Sequence, residues 1–560
     1  MCLGRAESVA RAADETSMLV VGDRNTGGSR MRVARTGEAV ARWLACAVMA
    51  VASGLLLGCA SFEVDSMRVE TRSLPPASQG RIVQAVDASR PDTHSSGFRL
   101  MPSGGHALAT RLALIRAAHS ALDLQYFIVQ PDATGKEVLR ELRDAAARNV
   151  RVRVLIDDLY TQGSDELLRT FAAHDNVEVR LFNPFMLRNA GVAARYLAQP
   201  FGFERLNHRM HNKMFIADGV TAITGGRNIG DEYFSRRDAG NFIDLDVLAA
   251  GPIVREIGSQ FDQYWNSPLA ISVTEIVRSD ASRQQLQARF DAMTRAAESP
   301  ALSDENEWDA LAHRSPSVDM REGRLELAWG TGQSFADPPG KGLAGPVGSD
   351  YGVNRIRMNA VDRIRSADKE VLLTSPYFIP GPSGLSLLRE ASDRAVAVAV
   401  LTNSLASTDQ PLVHSAYRRY RVPLLQAGVQ LYELSPNYAG RDDRRRFFGL
   451  SAAGLHTKCL VIDRQEVFIG SMNFDPRSDH YNTENAVAIL VPAVARDAAQ
   501  LLNLAKREAA NRVQIGADGH LEWVIPVGNE EYVHDQEPDA GGMLRLWLQL
   551  VSPLAPESLL

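Results

Sequence analysis

The sequence is poor in cysteine and has no excess of positive charge. Its 560 residues include only four cysteines, three of them within the first 59 positions, so neither a disulfide framework nor a zinc-binding pattern is available. The formal net charge of −6 argues against a protein that binds nucleic acid by neutralising many phosphates. With 45% hydrophobic and 23% charged residues, the composition is that of a globular chain with room for two domains.

The sequence also lacks an apolar run of full transmembrane length. Its most apolar stretch, WLACAVMAVASGLLLG, has 16 residues, whereas a spanning helix needs about 20. Arg32, Arg35 and Arg42 precede this stretch and small residues end it. This layout predicts a signal peptide. Residues 1–30 precede this signal and lack hydrophobic periodicity, so both Met1 and Met31 are candidates for the functional start.

The residues that follow the apolar stretch resemble a bacterial lipobox. Leu56, Leu57 and Gly58 precede Cys59, and the resemblance implies that Cys59 is lipidated and becomes the mature N-terminus. Ala60 stands where an aspartate would imply retention in the inner membrane. We therefore expect a periplasm-facing lipoprotein of the cell envelope, at the outer membrane; a plain membrane anchor and simple secretion remain alternatives.

The body of the chain repeats a strand, a helix and a strand. ALDLQYFIVQ, KEVLRELRDAAARN and VRVRVLIDDL return later as EVLLTSPYFIP, SGLSLLREASDRA and VAVAVLTNSL, with Tyr126-Phe127-Ile128 echoed by Tyr377-Phe378-Ile379. Strands that alternate with helices of this length predict an α/β fold, with a parallel or mixed sheet covered on both faces.

The repeat sets the expected domain boundaries. Two similar halves are predicted, and the segments around them are assigned by composition. The predicted segments are an N-terminal extension and signal peptide over 1–58, a tether over 59–104, the first half over 105–270, a partly helical linker that ends in a loop over 271–350, the second half over 351–510, and a tail packed on the body over 511–560.

Each half carries one copy of the pattern H-x-K-x4-D-x6-G-[GS]-x-N. The first copy is His211, Lys213, Asp218, Gly225, Gly226 and Asn228, and the second is His456, Lys458, Asp463, Gly470, Ser471 and Asn473. Side chains two positions apart on a strand share a face, so each copy delivers an imidazole and an ammonium together. We expect the two aspartates to hold turns, and the glycines and the serine to let a substrate approach the backbone.

Two such motifs in matched positions resemble the phospholipase D superfamily. The flanking segments GGRNIGDEYF and FIGSMNFDPRSDHYNTE are similar to bacterial cardiolipin synthases, in particular the C-type branch, and the resemblance extends from about residue 105 to the end of the chain. It implies two α-β-α sandwich halves related by a pseudo-twofold axis, with one active site at their interface.

The resemblance also implies a covalent phosphohistidine route. One histidine attacks phosphorus and the other serves as acid and base; we assign His211 to the first role and His456 to the second, and the symmetry leaves the reverse open. The two motif lysines and the two motif asparagines suit the charge that develops on the phosphate oxygens. Asp244 and Glu484, equally spaced before Pro252 and Pro492, are the expected carboxylate partners of the imidazoles. No cofactor or metal is expected.

For the substrate, the resemblance implies phosphatidyl transfer to phosphatidylglycerol, with phosphatidylethanolamine as a further candidate. A hydrolase that releases phosphatidate, a secreted nuclease and a lipid-binding envelope scaffold remain alternatives, although no nucleic-acid partner is expected. Contact with a membrane surface is predicted from basic and aromatic residues before the motifs. These residues are Phe201, Phe203, Arg205, His208, Arg209 and the run Arg444, Arg445, Arg446, Phe447, Phe448. The oligomeric state is left open.

Overall fold

The computed structural model describes most of the chain from residue 69 onward. The described ranges are 69–185, 203–295, 308–343, 354–436, 453–527, 530–552 and residue 557. The predicted signal peptide and Cys59 lie outside them. None of the helices in these ranges combines the length and the apolar character that a bilayer crossing requires.

The described residues of the first half form nine strands. They are β1 Ser96–Met101, β2 Ala121–Tyr126, β3 Arg151–Asp157, β4 Val177–Phe182, β5 Met214–Ala217, β6 Thr221–Gly225, β7 Asn241–Ile243, β8 Asp246–Ala250 and β9 Ala270–Ser272. Eight of them form a sheet in the order β1-β8-β6-β5-β2-β3-β4-β9, in which β2, β3 and β4 are parallel and the other pairs antiparallel. The helices before, within and after this half are Arg81–Asp87, Gly104–Ala117, Ala133–Ala147, Asp165–Phe171, Phe203–Asn207, Ile253–Trp265, Val273–Ile276 and Arg283–Thr294.

The second half repeats this arrangement. Its strands are β10 Ala328–Ala336, β11 Glu370–Thr374, β12 Ala397–Asn403, β13 Gln430–Leu434, β14 Ala453–Leu455, β15 Cys459–Ile462, β16 Glu466–Gly470, β17 Asn485–Leu490, β18 Ala510–Ile515, β19 Leu521–Val527 and β20 Glu530–His534. The order β10-β17-β16-β15-β11-β12-β13-β18 matches the first half strand for strand, and β19 and β20 extend it. The helices are Pro316–Arg321, Arg355–Ser366, Gly381–Asp393, Pro411–Tyr417, Arg421–Gln426, Pro476–His480, Pro492–Glu508 and Gly542–Val551. The predicted α/β fold of two similar halves with mixed sheets is confirmed.

Two equivalent helices fill the space between the halves. Ile253–Trp265 follows β8 and Pro492–Glu508 follows β17, and their apolar faces belong to one buried cluster that also takes residues from both sheets. Each sheet has a second core on its other face. The helix Ala133–Ala147 shows why such segments are helical: the Asp132 side chain accepts from the Gly135 amide as an N-cap, and Val138, Leu139 and Leu142 form one buried stripe.

The predicted tether and the predicted linker each contain a strand of the sheet, so the boundary predictions were wrong at these two places. β1 lies in the predicted tether and β10 in the predicted linker, yet they pair antiparallel with each other and join the two sheets into one. β1 contains one glycine and β10 contains two, and Ser, Pro or Gly residues flank both strands, so their local signal is weak. Their partners β8 and β17 lie about 150 residues further on. The predicted tail likewise supplies β18 to β20.

The strand pairing also corrects the register of the internal repeat. Gln125 lies opposite Met214 and Thr374 lies opposite Cys459. Because Met214 and Cys459 are equivalent positions of the two motifs, Tyr377 corresponds to Ile128, and not to Tyr126. The sequence echo is therefore offset by two residues, since hydrogen bonds to the motif hairpin, rather than side-chain likeness, set the register.

Candidate active site

Each motif forms a hairpin with its histidine and lysine at one end and its aspartate at the other. The turn residues Asp218 and Gly219 have φ of 55° and 64°, and Asp463 and Arg464 have φ of 52° and 55°, the left-handed conformation that a tight hairpin turn needs. The Asp218 carboxylate accepts hydrogen bonds from the amides of residues 119–121, just before and at the start of β2. Asp463 accepts from the amides of residues 368–370, just before and at the start of β11, in the same way. Both aspartates therefore contact backbone at the turn end of their hairpins.

The two histidines are paired with carboxylates of the opposite half. His211 Nδ1 lies 2.8 Å from Glu484 Oε2, and His456 Nδ1 lies 2.6 Å from Asp244 Oδ2. All four side chains are buried, with 6% of each histidine residue exposed. The structure thus brings the two motifs into one site, and each half completes the other.

Backbone pairing between the halves produces this exchange. The His211 amide donates to the Thr483 carbonyl at 2.9 Å, and the His456 amide donates to the Ile243 carbonyl at 2.8 Å. Thr483 and Ile243 are the residues just before the two carboxylates. The strand β7 pairs parallel with β14, and Met210 bridges Thr483 in the equivalent place. These contacts fix each carboxylate beside the imidazole of the other half.

The motif glycines make room for the chain itself rather than for a substrate, which corrects the expectation from the sequence. A Cβ on Gly226 would collide with the Asp244 carboxylate, and one on Gly470 would collide with the Asn485 carbonyl. At the position equivalent to Gly226, Ser471 keeps a side chain, and its hydroxyl donates to Glu484. Asp244 therefore occupies the space left by the missing side chain of Gly226, whereas Glu484 accepts a hydrogen bond from Ser471.

The two lysines lie deep in the same site. Lys213 Nζ donates to the carbonyl of His211, and Lys458 Nζ donates to the carbonyl of His456, each at 2.6 Å. Burial lowers the pKa of Lys213 to about 7 and that of Lys458 to about 8, although neighbouring carboxylates oppose the shift. An anionic ligand would therefore stabilise the charged form of both lysines.

The two histidine–carboxylate pairs differ electrostatically. Burial raises the pKa of Glu484 to about 7, against the opposing charge of Lys213 and the hydroxyl of Ser471. Burial acts on Asp244 in the same direction, but His456 and then Lys458 outweigh it and leave the pKa of Asp244 below its ordinary value. Asp244 is the better ionised partner, so the pair it forms with His456 is the better site for an imidazolium.

The pKa values of both imidazoles lie below the ordinary value. Burial, and then the charges of Lys213 and Lys458, hold the pKa of His211 well below its ordinary value. Burial and Lys458 also lower the pKa of His456, but there Asp244 opposes the shift through its charge and its hydrogen bond. The charge of His456 also acts on His211, as expected for two rings in one site.

The two motif asparagines are both buried. The Asn228 side-chain oxygen accepts from the Ile128 amide at 3.2 Å, and its side chain also hydrogen bonds Tyr233. Asn473 is 4% exposed, and its side-chain oxygen has no hydrogen-bond partner among the residues that the structure describes. The two asparagines therefore lie in different hydrogen-bonding environments, although they occupy equivalent positions of the two motifs.

Sequence reasoning missed the aromatic walls of the site. Phe127 meets His211 edge-on with ring centres 4.9 Å apart, and Tyr233 and Phe242 lie 5.3 and 5.1 Å from His456. Such rings shield the imidazoles from water. The repeated Tyr-Phe-Ile triplet was the available signal, but only for Phe127 and with the wrong register.

A carboxylate and a phenol at the site were also missed. The Tyr377 hydroxyl lies 2.8 Å from both carboxylate oxygens of Asp409, and the charge of Asp409 opposes the lowering of the Lys458 pKa. Asp409 follows β12 in a loop whose sequence, SLASTDQP, carries no motif. Its place at the site depends on the fold alone.

Two residues predicted to meet a membrane are buried instead, so that prediction is wrong for them. His208 and Arg209 are each 1% exposed. His208 Nε2 lies 2.8 Å from the Pro339 carbonyl, and Arg209 lies 3.4 Å from Asp157. Arg205 hydrogen bonds the Asn183 side chain. Phe201 and the run 444–448 lie outside the described residues.

Comparison with known proteins agrees with this geometry. The family described as cardiolipin synthase, PLD-like domain, matches residues 112–265 and 360–504. The chain is 36% identical to cardiolipin synthase C of Escherichia coli (strain K12) over 470 residues, which cover 81% of this chain and 94% of that protein. The chain belongs to this cardiolipin synthase family.

More distant relatives extend the likeness. A cardiolipin synthase of Alkalihalophilus pseudofirmus is 27% identical over 399 residues, 70% of this chain and 63% of that protein. The crystal structure of a phosphatidylserine synthase from Haemophilus influenzae Rd KW20 superposes with a TM-score of 0.52 at 12% identity, over 82% of this chain and 93% of that one. That superposition shows the shared fold. The predicted membership of the phospholipase D superfamily and the predicted phosphatidyltransferase class are confirmed by the family match.

Proposed function

We propose that the protein transfers a phosphatidyl group to phosphatidylglycerol and forms cardiolipin through a phosphohistidine intermediate. The observation that carries the proposal is the reciprocal pairing of His211 with Glu484 and of His456 with Asp244. Two imidazoles, each oriented through Nδ1, offer two Nε2 atoms to one phosphorus. A displacement in two steps needs a nucleophile and a separate acid, and this pair supplies both.

In the first step, Nε2 of neutral His211 attacks the phosphorus of the donor lipid. The bond from phosphorus to the headgroup oxygen breaks, and protonated His456 gives its proton to that oxygen. The depressed pKa of His211 supports its role as a nucleophile. The depressed pKa of Asp244 supports His456 as the acid, because an ionised carboxylate stabilises the imidazolium beside it.

In the second step, a hydroxyl of phosphatidylglycerol replaces the headgroup. His456, now neutral, takes the proton of this hydroxyl as its oxygen attacks phosphorus, and the bond between phosphorus and His211 breaks. The product is a diphosphatidyl glycerol, and both histidines return to their starting state. The chemistry is a pair of exchanges at one phosphorus, so no oxidant or reductant is needed.

The buried cations are suited to the transition state of both steps. Negative charge develops on the non-bridging oxygens of the phosphodiester, and preorganised donors in a water-poor site stabilise it strongly. We assign this role to Lys213, Lys458, Asn228 and Asn473, all of which are at most 4% exposed. Their burial has a desolvation cost, which the binding of an anionic substrate would offset.

Water is the competing acceptor, and a phospholipase D hydrolase is therefore the second candidate. The rings of Phe127, Tyr233 and Phe242 beside the two imidazoles favour transfer, because they restrict water at the intermediate. Hydrolysis to phosphatidate uses the same residues in the same roles.

The test is product analysis with the purified protein. Vesicles of phosphatidylglycerol, with and without phosphatidylethanolamine, are incubated with the enzyme and the lipids are separated. Cardiolipin from phosphatidylglycerol alone supports the proposal, and an increase with phosphatidylethanolamine identifies a second donor. Phosphatidate as the main product favours the hydrolase, and cleavage of DNA without lipid turnover refutes the lipid assignment.

We also propose that the chain is a lipoprotein of the bacterial envelope, held at the outer membrane by lipid on Cys59. The support is the lipobox-like LLGC and the following Ala60. An anchor would raise the effective concentration of membrane lipid at the site. Metabolic labelling with a fatty acid, followed by membrane fractionation, should label the wild type and not Cys59→Ser; equal labelling of both would contradict the proposal.

A further inference from the structure

The helix Gly542–Val551 is apolar on two opposite sides. Its inward residues Leu544 and Leu548 pack against Leu405 and Leu412. Its outward side carries four large apolar residues with high fractional exposure, namely Met543 at 83%, Leu546 at 54%, Trp547 at 45% and Leu550 at 69%. These four positions, which we call the outer stripe, are spaced i, i+3, i+4 and i+7 and so form one continuous face.

A face of this kind is unusual on a helix that meets only water. Surface helices turn polar residues outward, whereas a helix that is apolar all round is normally covered. Single exposed apolar residues are common, but contiguous ones mark an interaction surface. Of the twelve large apolar residues exposed in the described ranges, four lie on this one ten-residue helix. Exposed apolar side chains are therefore concentrated on this helix.

The helix lies on the same edge of the sheet as the catalytic histidines. Asn403, the last residue of β12, exchanges two hydrogen bonds with the backbone of Leu455, which directly precedes His456. Two residues after Asn403, Leu405 packs on the helix. The same loop continues to Asp409, which contacts Tyr377 and acts on Lys458. One short loop therefore links the site with the surface on which the helix Gly542–Val551 packs.

The first half contributes an exposed aromatic residue on the same side. Tyr160 is 43% exposed and meets Phe127 edge-on at 5.3 Å, while Phe127 in turn contacts His211. At the C-terminal end of the helix, Arg419, whose side chain is 48% exposed, donates to the Ser552 carbonyl at 3.5 Å. It also forms an ion pair with Glu557 at 3.5 Å. Apolar and aromatic side chains beside a cation are typical of segments that rest in a bilayer interface.

We propose that the outer stripe docks on a phospholipid bilayer and holds the active-site edge against the membrane that contains the substrate. This inference rests on the proposed function, because it is a lipid substrate that makes a bilayer the occupant. Trp547 and the leucines enter the boundary between headgroups and acyl chains. The docking is separate from the proposed lipid anchor at Cys59: the anchor tethers the chain, whereas the helix orients the site.

Fluorescence quenching by brominated lipids tests the contact without requiring turnover. The full chain contains six tryptophans. With vesicles of phosphatidylglycerol brominated near the headgroup end of the acyl chains, we expect the wild type to be quenched and Trp547→Phe to lose most of the quenching. Quenching that is absent from the wild type, or unchanged in Trp547→Phe, overturns the proposal. Trp308→Phe, at an exposed site (62%) on another part of the surface, is the matched control.

Kinetics separates docking from catalysis. The double variant Leu546→Ser, Leu550→Ser removes two outward side chains and leaves Leu544 and Leu548 in place. Because the variant removes apolar surface that would be buried in the bilayer, turnover on vesicles should fall about tenfold or more. Turnover of short-chain phosphatidylglycerol below its micelle concentration should be unchanged. Equal loss on both substrates, or no loss on vesicles, refutes the inference.

The outcomes also distinguish this inference from the proposed function and from a protein partner. If the wild type makes no cardiolipin but Trp547 is quenched, docking stands and the proposed reaction fails. A second copy of the chain on the same stripe would instead appear as a dimer in sedimentation without vesicles, abolished by the double variant, and that result would contradict bilayer docking.

Discussion

The imidazole of His211 is oriented by Glu484, which lies 273 positions further along the chain, at 2.8 Å. The equivalent contact runs the opposite way, from His456 back to Asp244 at 2.6 Å. Each half of the molecule therefore holds a histidine whose carboxylate belongs to the other half. Neither half contains a complete acid–base pair, so we expect no turnover from either half alone.

Glu484→Gln should lower kcat strongly while the fold is kept. By analogy with other carboxylate–histidine pairs, loss of the charge should cost about two to four orders of magnitude. The pKa of buried Glu484 is raised from 4.5 to about 7, so the folded state binds this proton more tightly and the stability contribution of Glu484 falls as pH rises from 4.5 to about 7. Urea unfolding should therefore show the variant no less stable than wild type at pH 8. Glu275→Gln, at an exposed position, should behave as wild type; full activity in Glu484→Gln would refute the role.

A substrate with a p-nitrophenyl leaving group should separate the roles of the two histidines. Nitrophenolate leaves without protonation, so His456→Ala should still form the intermediate and release about one equivalent in a burst. His211→Ala should release none. Absorbance follows the burst, and mass spectrometry locates the adduct on His211. A burst from His211→Ala and none from His456→Ala would reverse the assignment.

The alkaline limb of the pH profile should differ between kcat/KM and kcat. The pKa of Lys213 is lowered to about 7 and that of Lys458 to about 8, so the free enzyme loses positive charge as pH rises through that range and kcat/KM should fall there. A bound phosphodiester stabilises both ammonium groups, so the limb of kcat should lie at higher pH. Initial rates from pH 6 to 10 give both curves, and coincident limbs would argue against titration of the lysines.

Gly226→Ala should reduce activity through Asp244. The added Cβ collides with the Asp244 carboxylate, and the displaced carboxylate can no longer hold His456. We expect the p-nitrophenyl burst to survive while turnover of phosphatidylglycerol falls at least about tenfold, since a misplaced catalytic group costs up to 10²-fold. Gly541→Ala, where an added Cβ meets nothing within 4 Å, is the control. Unchanged lipid turnover in Gly226→Ala would refute this reading of the motif glycine.

Asp218→Ala should affect stability more than chemistry. Its carboxylate accepts from three consecutive backbone amides and the Ser120 hydroxyl, and loss of such an acceptor for partly buried donors costs about 1–3 kcal/mol. Thermal unfolding should show the loss, while kcat per folded molecule stays within about twofold. A large drop in kcat with unchanged stability would mean that Asp218 acts in the reaction.

The candidate site was predictable because its residues recur in two identical frames. The spacing of His, Lys, Asp and Asn named eight of the positions, and the count back from Pro252 and Pro492 separated Asp244 from the nearby Asp246. Asp246 in fact pairs with the buried Arg111 at 2.8 Å. Local pattern was sufficient here because one motif hairpin contains most of the candidate site residues of its half.

What the sequence alone determined is therefore the family, the repeat and the α/β class, since these depend on short-range spacing and periodicity. The tertiary structure decided which carboxylate serves which histidine, that β1 and β10 join the sheets, and that Phe127, Tyr377 and Asp409 surround the site. These facts depend on contacts between residues that are distant along the chain, and such contacts leave no local pattern. The register of the repeat belongs to the same group, because hydrogen bonds to a neighbouring strand set it and side-chain likeness does not.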